Sequence, residues 1–195
     1  MKFFIVVFAA LGLLSTVEAA VTETSSSSVY IISTNLGDIT IELDDGPTVT
    51  TDNFEAYAQD GFYDGTIFHR VIKGFMVQGG GFSPEMVEKV TDVAAIINEG
   101  SLCGSNVRGS LAMARTSDPH SATAQFFINT VDNPFLNFKE ETIQGWGYCS
   151  FGHVTDGMDI VDAIEAMPTK TVGPYQDVPA TPIIIESVTE VNSTN

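Results

Sequence analysis

Arg70 and Gln78, with the apolar side chains around them, are the residues of this chain whose types and spacing could do chemistry. They lie in Phe68 to Phe82 (FHRVIKGFMVQGGGF), a largely apolar segment of an acid-rich sequence with only three arginines, Arg70, Arg108 and Arg115. A guanidinium keeps its proton, so inside an apolar wall it must meet acceptors or face a wet cleft. Residue type alone suggests a barrel arginine satisfied by backbone carbonyls or a carboxylate. The neighbourhood points instead to a small-ligand site, because a fixed cation, a side-chain amide and a cluster of Phe75 and Met76 describe an apolar pocket with a few placed polar groups. Gly79-Gly80-Gly81 lacks the spacing and the following helix of a phosphate loop and reads as a bulge or a close backbone approach. His69, His120 and His153 are too scattered for a metal site, and Cys103 and Cys149 match no zinc pattern. Neither a metal nor a cofactor is expected.

The elements that must position these residues fit in one domain. With 195 residues and 44% hydrophobic content, the chain is long enough for a real core. The formal net charge of −17 gives a surface that repels nucleic acid and anionic membrane, with no basic stripe to offset it. Lys2, the apolar run Phe3 to Leu14 and the small residues of Val17-Glu18-Ala19 read as a signal peptide over residues 1–19. A retained N-terminal anchor is the alternative, but that run is too short for a stable span and no other stretch approaches about 18 apolar residues. Residues 20–28 follow as a flexible Ser/Thr leader, 29–190 as the folded domain and 191–195 as a C-terminal tail. Export permits a disulfide between Cys103 and Cys149. Their distance in sequence does not establish proximity, and two separate thiols is the preferred reading. No long apolar stripe calls for a partner subunit, so a monomer is expected.

Val29 to Thr34 and Asp38 to Leu43 flank Asn35-Leu36-Gly37, a hairpin signal. Thr48 to Asp60 reads as a helix capped by Thr50 or Thr51, with Asp52 and Glu55 in its first turn and Gly61 as its stop. Thr66 to Ile72 and Phe75 to Gln78 read as strands around a turn at Lys73-Gly74. Residues 83 to 107 are turn-rich. Ser110 to Ala114, Gln125 to Asn129, Tyr148 to Val154 and Pro182 to Val188 read as further strands, and Asp156 to Met167 as a second helix. Two helices and about eight strands that do not alternate argue for a mostly antiparallel barrel. His69 reads as a structural histidine bonded to backbone and pointing away from Arg70. Trp146, between two glycines, reads as packing on a loop.

Three segments, FHRVIKGFMVQGGGF, RGSLAMARTSDPHSATAQFFIN (Arg108 to Asn129) and FGHVTDGMDIVDAI (Phe151 to Ile164), resemble the cyclophilins. The resemblance covers about residues 29 to 190. It implies a closed eight-stranded antiparallel β-barrel capped by two α-helices, and a peptidyl-prolyl cis–trans isomerase acting on proline-containing unfolded or flexible polypeptides. ARTSD and VGPYQDVPATPI (Val172 to Ile183) are similar to the exported bacterial branch, which implies a periplasmic foldase, with secretion as the alternative. Carried over by position, the resemblance implies that Arg70 is the catalytic arginine and gives the neighbouring residues the following roles. Phe75, Met76, Phe127 and Leu136 line the proline pocket, and Gln78 holds Arg70 and touches the peptide backbone. Ala114, the Arg115 main chain, Thr116 and Gln125 form the groove for residues preceding the proline. Phe135 stands where many eukaryotic members carry tryptophan, Tyr148 where they carry a pocket histidine, and Lys73 where a turn proline is usual. Because that tryptophan donates an indole N–H to cyclosporin, weak cyclosporin binding is expected here.

The chemistry implied needs no cofactor. Rotating an X–Pro bond breaks amide resonance, with a barrier of about 18–20 kcal/mol. The prolyl nitrogen becomes pyramidal on the way and gains a lone pair that a guanidinium N–H can meet. That interaction is largely missing from the planar ground state, so it lowers the barrier. The rival from another class is a non-catalytic module that binds proline segments or acts as a holdase. A barrel binding a small lipophilic molecule is a second rival, disfavoured by the polar Arg70/Gln78 pair.

Overall fold

Alternation of period two builds the first hairpin. In β1 (Val29–Thr34) and β2 (Gly37–Leu43) every second residue is buried, sending Tyr30, Ile32, Ile39 and Ile41 inward. These strands belong to a computed structural model that describes residues 28–191. The signal peptide and the end of the tail expected from sequence lie outside the described residues, as does all of the leader except Ser28. After α1 (Thr48–Gln59) come β3 (Phe68–Ile72), β4 (Met76–Gly79), β5 (Ser110–Met113), β6 (Phe126–Asn129), a 3-10 turn (Pro134–Leu136), β7 (Ser150–Asp156), α2 (Met158–Glu165), β8 (Thr169–Val172), β9 (Tyr175–Pro179) and β10 (Ile185–Glu190). The main sheet runs β10-β1-β2-β7-β5-β6-β4-β3, and every pairing is antiparallel.

The expected closed barrel needs correction. The edge strands β3 and β10 share no ladder and meet only in a short seam, with an isolated Ile67–Ile184 bridge and the Phe68 N–H donating to Ile183 O at 2.9 Å. The seam stops at Pro182, which has no N–H to offer, and at the turn ending in Gly65. The sheet is therefore a curled half-barrel, open rather than closed. A second hairpin, β8–β9, lies beside β3 and was not anticipated; the Gly173-Pro174 dipeptide between its strands is the signal that marks it.

Phe54 of α1 plugs the sheet's concave face. Its ring centroid lies 5.7 Å from that of Tyr30, 5.3 Å from Tyr63, 5.8 Å from Phe126 and 5.4 Å from Phe151. The helix begins earlier than its expected cap, and Thr50 and Thr51 do not cap it. Pro47 occupies the N-cap, and the buried Glu99 carboxylate accepts from Val49 N–H at 3.2 Å, Thr50 N–H at 2.8 Å and Thr50 Oγ1 at 2.7 Å. A carboxylate from a distant loop thus does the work expected of a local hydroxyl and of Asp52 and Glu55, since anions are favoured at a helix N-terminus.

The same loop overturns the reading of two separate thiols. Cys103 and Cys149 form a disulfide with a Cα–Cα separation of 5.2 Å. An isolated antiparallel bridge between Gly104 and Ser150 lays the turn-rich loop beside the start of β7 and brings the two cysteines together.

Candidate active site

Strands β4, β5 and β6 are covered on both faces, and that double burial creates the site. Val77, Leu111, Met113, Phe126 and Ile128 point into the main core, whereas Met76, Ala112 and Phe127 point outward and pack with Leu136 in a second apolar cluster. The pleat thus uses alternate residues of one strand for the fold and for the floor of a cavity on its convex face. That cavity holds about 250 Å³ and is lined by Arg70, Phe75, Met76, Gln78, Ala114, Arg115, Phe127, Leu136 and Tyr148. All nine are residues singled out from the sequence. The other three lie apart: Gln125 borders an adjoining cavity, Thr116 is exposed and tied to Ser121, and Phe135, 62% exposed, stacks on Phe75 at the rim.

Arg70 is exposed and makes no hydrogen bond or ion pair among the described residues, so it is a cation facing a wet cleft rather than one satisfied by the barrel. A register shift between Phe68 and Arg70 places a bulge at His69, which buries the imidazole and turns Arg70 outward. The expected backbone bond of the imidazole is made with Ile67, while Nδ1 meets no partner and the ring packs on Phe82 at 4.5 Å. Burial, aided by the Arg70 charge, pushes the His69 pKa down to about 4, and the ring is neutral at physiological pH.

Gln78 sits opposite Arg70 in the β3–β4 register, but its amide Nε2 donates to Gln125 Oε1 at 3.0 Å rather than bonding Arg70. Gly81 makes this possible, because a Cβ there would collide with Gln125 Cγ. The close-approach reading of the glycine run holds. Arg115 stacks over Tyr148, 4.5 Å from the ring centroid, and its Nε donates to Gly147 O at 2.9 Å. Trp146 packs on His120 and Phe138, as a loop residue.

What fixes the cavity walls was not read from the sequence. Asn133 Nδ2 donates to Phe75 O at 3.0 Å and to Asn129 Oδ1 at 2.7 Å; Asn129 Nδ2 donates to Ser110 Oγ at 2.9 Å; Asn106 Nδ2 donates to Tyr148 O at 3.0 Å. A buried, bonded asparagine network of this kind rigidifies what it touches, here the backbones that carry Phe75 and Tyr148. From the other side, Glu165 of α2 accepts the Gly74 N–H at 2.8 Å and anchors the Lys73-Gly74 turn. Asparagines spaced at 106, 129 and 133 carry no motif, so only the assembled sheet shows that they converge.

Residues 29–190 match the family model of the cyclophilin type peptidyl-prolyl cis–trans isomerases. The chain belongs to that family. It is 59% identical over 157 residues to peptidyl-prolyl cis-trans isomerase B of Escherichia coli, covering 80% of this chain and 95% of the relative. It is 52% identical over 171 residues to a peptidyl-prolyl cis-trans isomerase of Acinetobacter baylyi, covering 87% of this chain and 88% of that protein. A crystal structure of a Cryptosporidium parvum cyclophilin type isomerase in the presence of the dipeptide Ala-Pro superposes with a TM-score of 0.67 at 28% identity, covering 85% of this chain and 99% of that one. The activity of this cyclophilin is peptidyl-prolyl cis–trans isomerisation, and the family binds proline-containing peptides.

Proposed function

We propose that Arg70 supplies the main electrostatic contribution to this isomerisation, with the proline ring held over Met76, Phe127 and Leu136. The unpaired guanidinium on the rim of a cavity with an apolar floor is the observation that supports the reading. The ring is clamped by apolar contact while the preceding carbonyl swings, and a guanidinium N–H donates to the pyramidal nitrogen only in the twisted state. Donors placed where charge develops cost no reorganisation at the moment of reaction. Gln78, tethered to Gln125, offers its remaining carbonyl to the peptide backbone, while Gln125 retains its N–H donors. Phe75 closes the pocket wall beside Phe135. NMR exchange spectroscopy on a proline tetrapeptide tests the whole assignment, and exchange no faster than in free solution would favour the holdase reading.

The clients are exported polypeptides in this reading, met in the periplasm by a monomer. The targeting pattern of residues 1–19 supports export. Intact mass of protein recovered from the cell envelope is expected to begin at Ala20, and a species still carrying Met1 to Ala19 would refute the cut.

Cyclosporin is expected to bind weakly. Phe135 has no N–H to give the drug, and losing one hydrogen bond to a buried acceptor costs about 1–3 kcal/mol, or ten- to hundredfold in affinity. Because Phe135 is exposed at the rim, Phe135→Trp should be accommodated and raise affinity by that factor. Unaltered affinity in that variant would discard the explanation.

A further inference from the structure

A groove of about 320 Å³ lies between α1 and the long loop that follows β4, and the chemistry above leaves it unused. The helix turns Asn53, Ala56, Tyr57 and Asp60 toward it, the i, i+3, i+4, i+7 stripe of one face. Position 56 carries only a methyl group, so the stripe is hollow at its middle. Thr91 and Val93 wall the groove from the loop, and the Tyr57 hydroxyl donates to Thr91 Oγ1 at 3.1 Å. The rings of Tyr57 and Phe62, with centroids 4.9 Å apart, form the floor. Two acceptors here lack donors. Asn53 is only 8% exposed and its Nδ2 donates to Thr123 O at 2.7 Å, but its Oδ1 accepts no bond from a described residue. Asp60 is the C-cap residue of α1, and its carboxylate makes no hydrogen bond or ion pair among the described residues. It adds a negative charge to the negative end of the helix dipole, with no basic residue in the last turn, so the position favours a cation from elsewhere. Phe62 already takes one ammonium, Lys89 Nζ, 4.8 Å from its ring centroid. The loop adds aliphatic surface, because Val90 is 83% exposed and Val93 55%.

We propose that this groove docks a separate segment of the client polypeptide, one carrying a lysine or arginine between aliphatic residues, while a proline of the same client occupies the catalytic cavity. The proposal rests on the assignment of that cavity to the proline ring. The cationic side chain crosses the Tyr57–Phe62 floor to Asp60, a backbone N–H of the segment donates to Asn53 Oδ1, and the flanking aliphatic residues cover Val90 and Val93. Asn53 and Asp60 stand seven helical residues apart, about 10.5 Å, which an extended chain spans in about three residues. A polypeptide brings an N–H and a cation together at that spacing, and a simple amine does not. A second copy of this chain is a poor occupant, because the net charge of −17 sets the two surfaces against each other. The groove is also tied to the catalytic face. Thr123, held by Asn53, lies two residues before Gln125, which bonds Gln78. One client can therefore bind at both places, the second contact forming at the effective concentration set by the chain between them.

The test uses an Ala-Pro peptide alone, the same peptide joined by a Gly/Ser linker to Leu-Lys-Leu or to Leu-Glu-Leu, and a proline-free Leu-Lys-Leu peptide. The wild type should show a KM about fivefold lower for the joined basic peptide than for the joined acidic one, with kcat the same, a size set by one partly desolvated cation contact. Asp60→Asn should cut that preference below twofold. Asp159→Asn, which removes one exposed charge from the first turn of α2, should keep it. Ala56→Lys places the chain's own cation one turn from Asp60 and should abolish the preference as well. Activity on the plain Ala-Pro peptide should be unchanged in all three variants. The proline-free basic peptide should shift the backbone amides of Ala56, Asp60, Thr91 and Val93. Equal KM for the basic and acidic peptides, silent groove amides, or a preference lost equally in Asp159→Asn would each overturn the groove; the last result would mean general attraction to an acid-rich surface. A wild-type dimer that Asp60→Asn dissociates would give the groove to a second copy and overturn the client reading. Failure to accelerate any proline peptide would instead overturn the assignment of the first cavity, and the proline-free peptide would still report on the groove.

Discussion

Arg70→Ala should lower kcat/KM for X–Pro isomerisation by about 10²–10³, the loss seen when one preorganised donor to a developing charge is removed. The fall should lie in kcat rather than in peptide affinity, because the bond to the prolyl nitrogen exists only in the twisted state. Folding stability should be nearly unchanged, since Arg70 is exposed and bonds to no other described residue. Arg70→Lys should rescue little: an ammonium on a flexible stem cannot present the planar fork of a guanidinium. NMR exchange on a proline peptide, with urea unfolding of the same samples, measures both quantities. Near-wild-type exchange in Arg70→Ala would discard the mechanism and leave the apolar clamp to account for the rate.

Reducing the Cys103–Cys149 bond, or replacing Cys103 by serine, should destabilise the protein by about 4 kcal/mol. The bond spans a sequence separation of 46 residues, and closing a loop of that size removes about this much conformational freedom from the unfolded chain. For a domain of this length the melting temperature should drop by roughly 8–16 °C. Cys103 is the better position to change because it is only partly buried, whereas Cys149 lies in the core. Equilibrium urea unfolding with and without a dithiol reductant gives the difference directly. A loss below about 1 kcal/mol would mean that the unfolded chain already holds these segments together. Reduction should also loosen the site locally, since Tyr148 and Gly147 directly precede Cys149 and Gly147 accepts bonds from both Arg115 and Asn98.

Much of this molecule follows from its sequence. The strands that carry Met76 and Phe127 are legible because a pleat buried on both faces needs an almost continuous apolar run, as in SLAM and FFIN, whereas the place of Phe127 and of Leu136, in the 3-10 turn, on the pocket floor came from the family resemblance alone. Arg70 stands out for the opposite reason, as a permanent charge in such a run. Other features depend on segments far apart in the chain. Glu99 caps α1 from 49 residues away, the disulfide needs the Gly104–Ser150 bridge, and the asparagines behind Phe75 and Tyr148 converge only once β5, β6 and the 3-10 turn are assembled. Local propensity reports what a residue does to its own backbone, and it is silent about which distant donor an acceptor will meet. The bulge at His69, which turns Arg70 toward solvent, and the open seam between β3 and β10 are settled in the same way, by register between strands. Sequence thus determined the chemistry available at this site. Tertiary structure decided its orientation and support, because those depend on long-range pairing that no local pattern encodes.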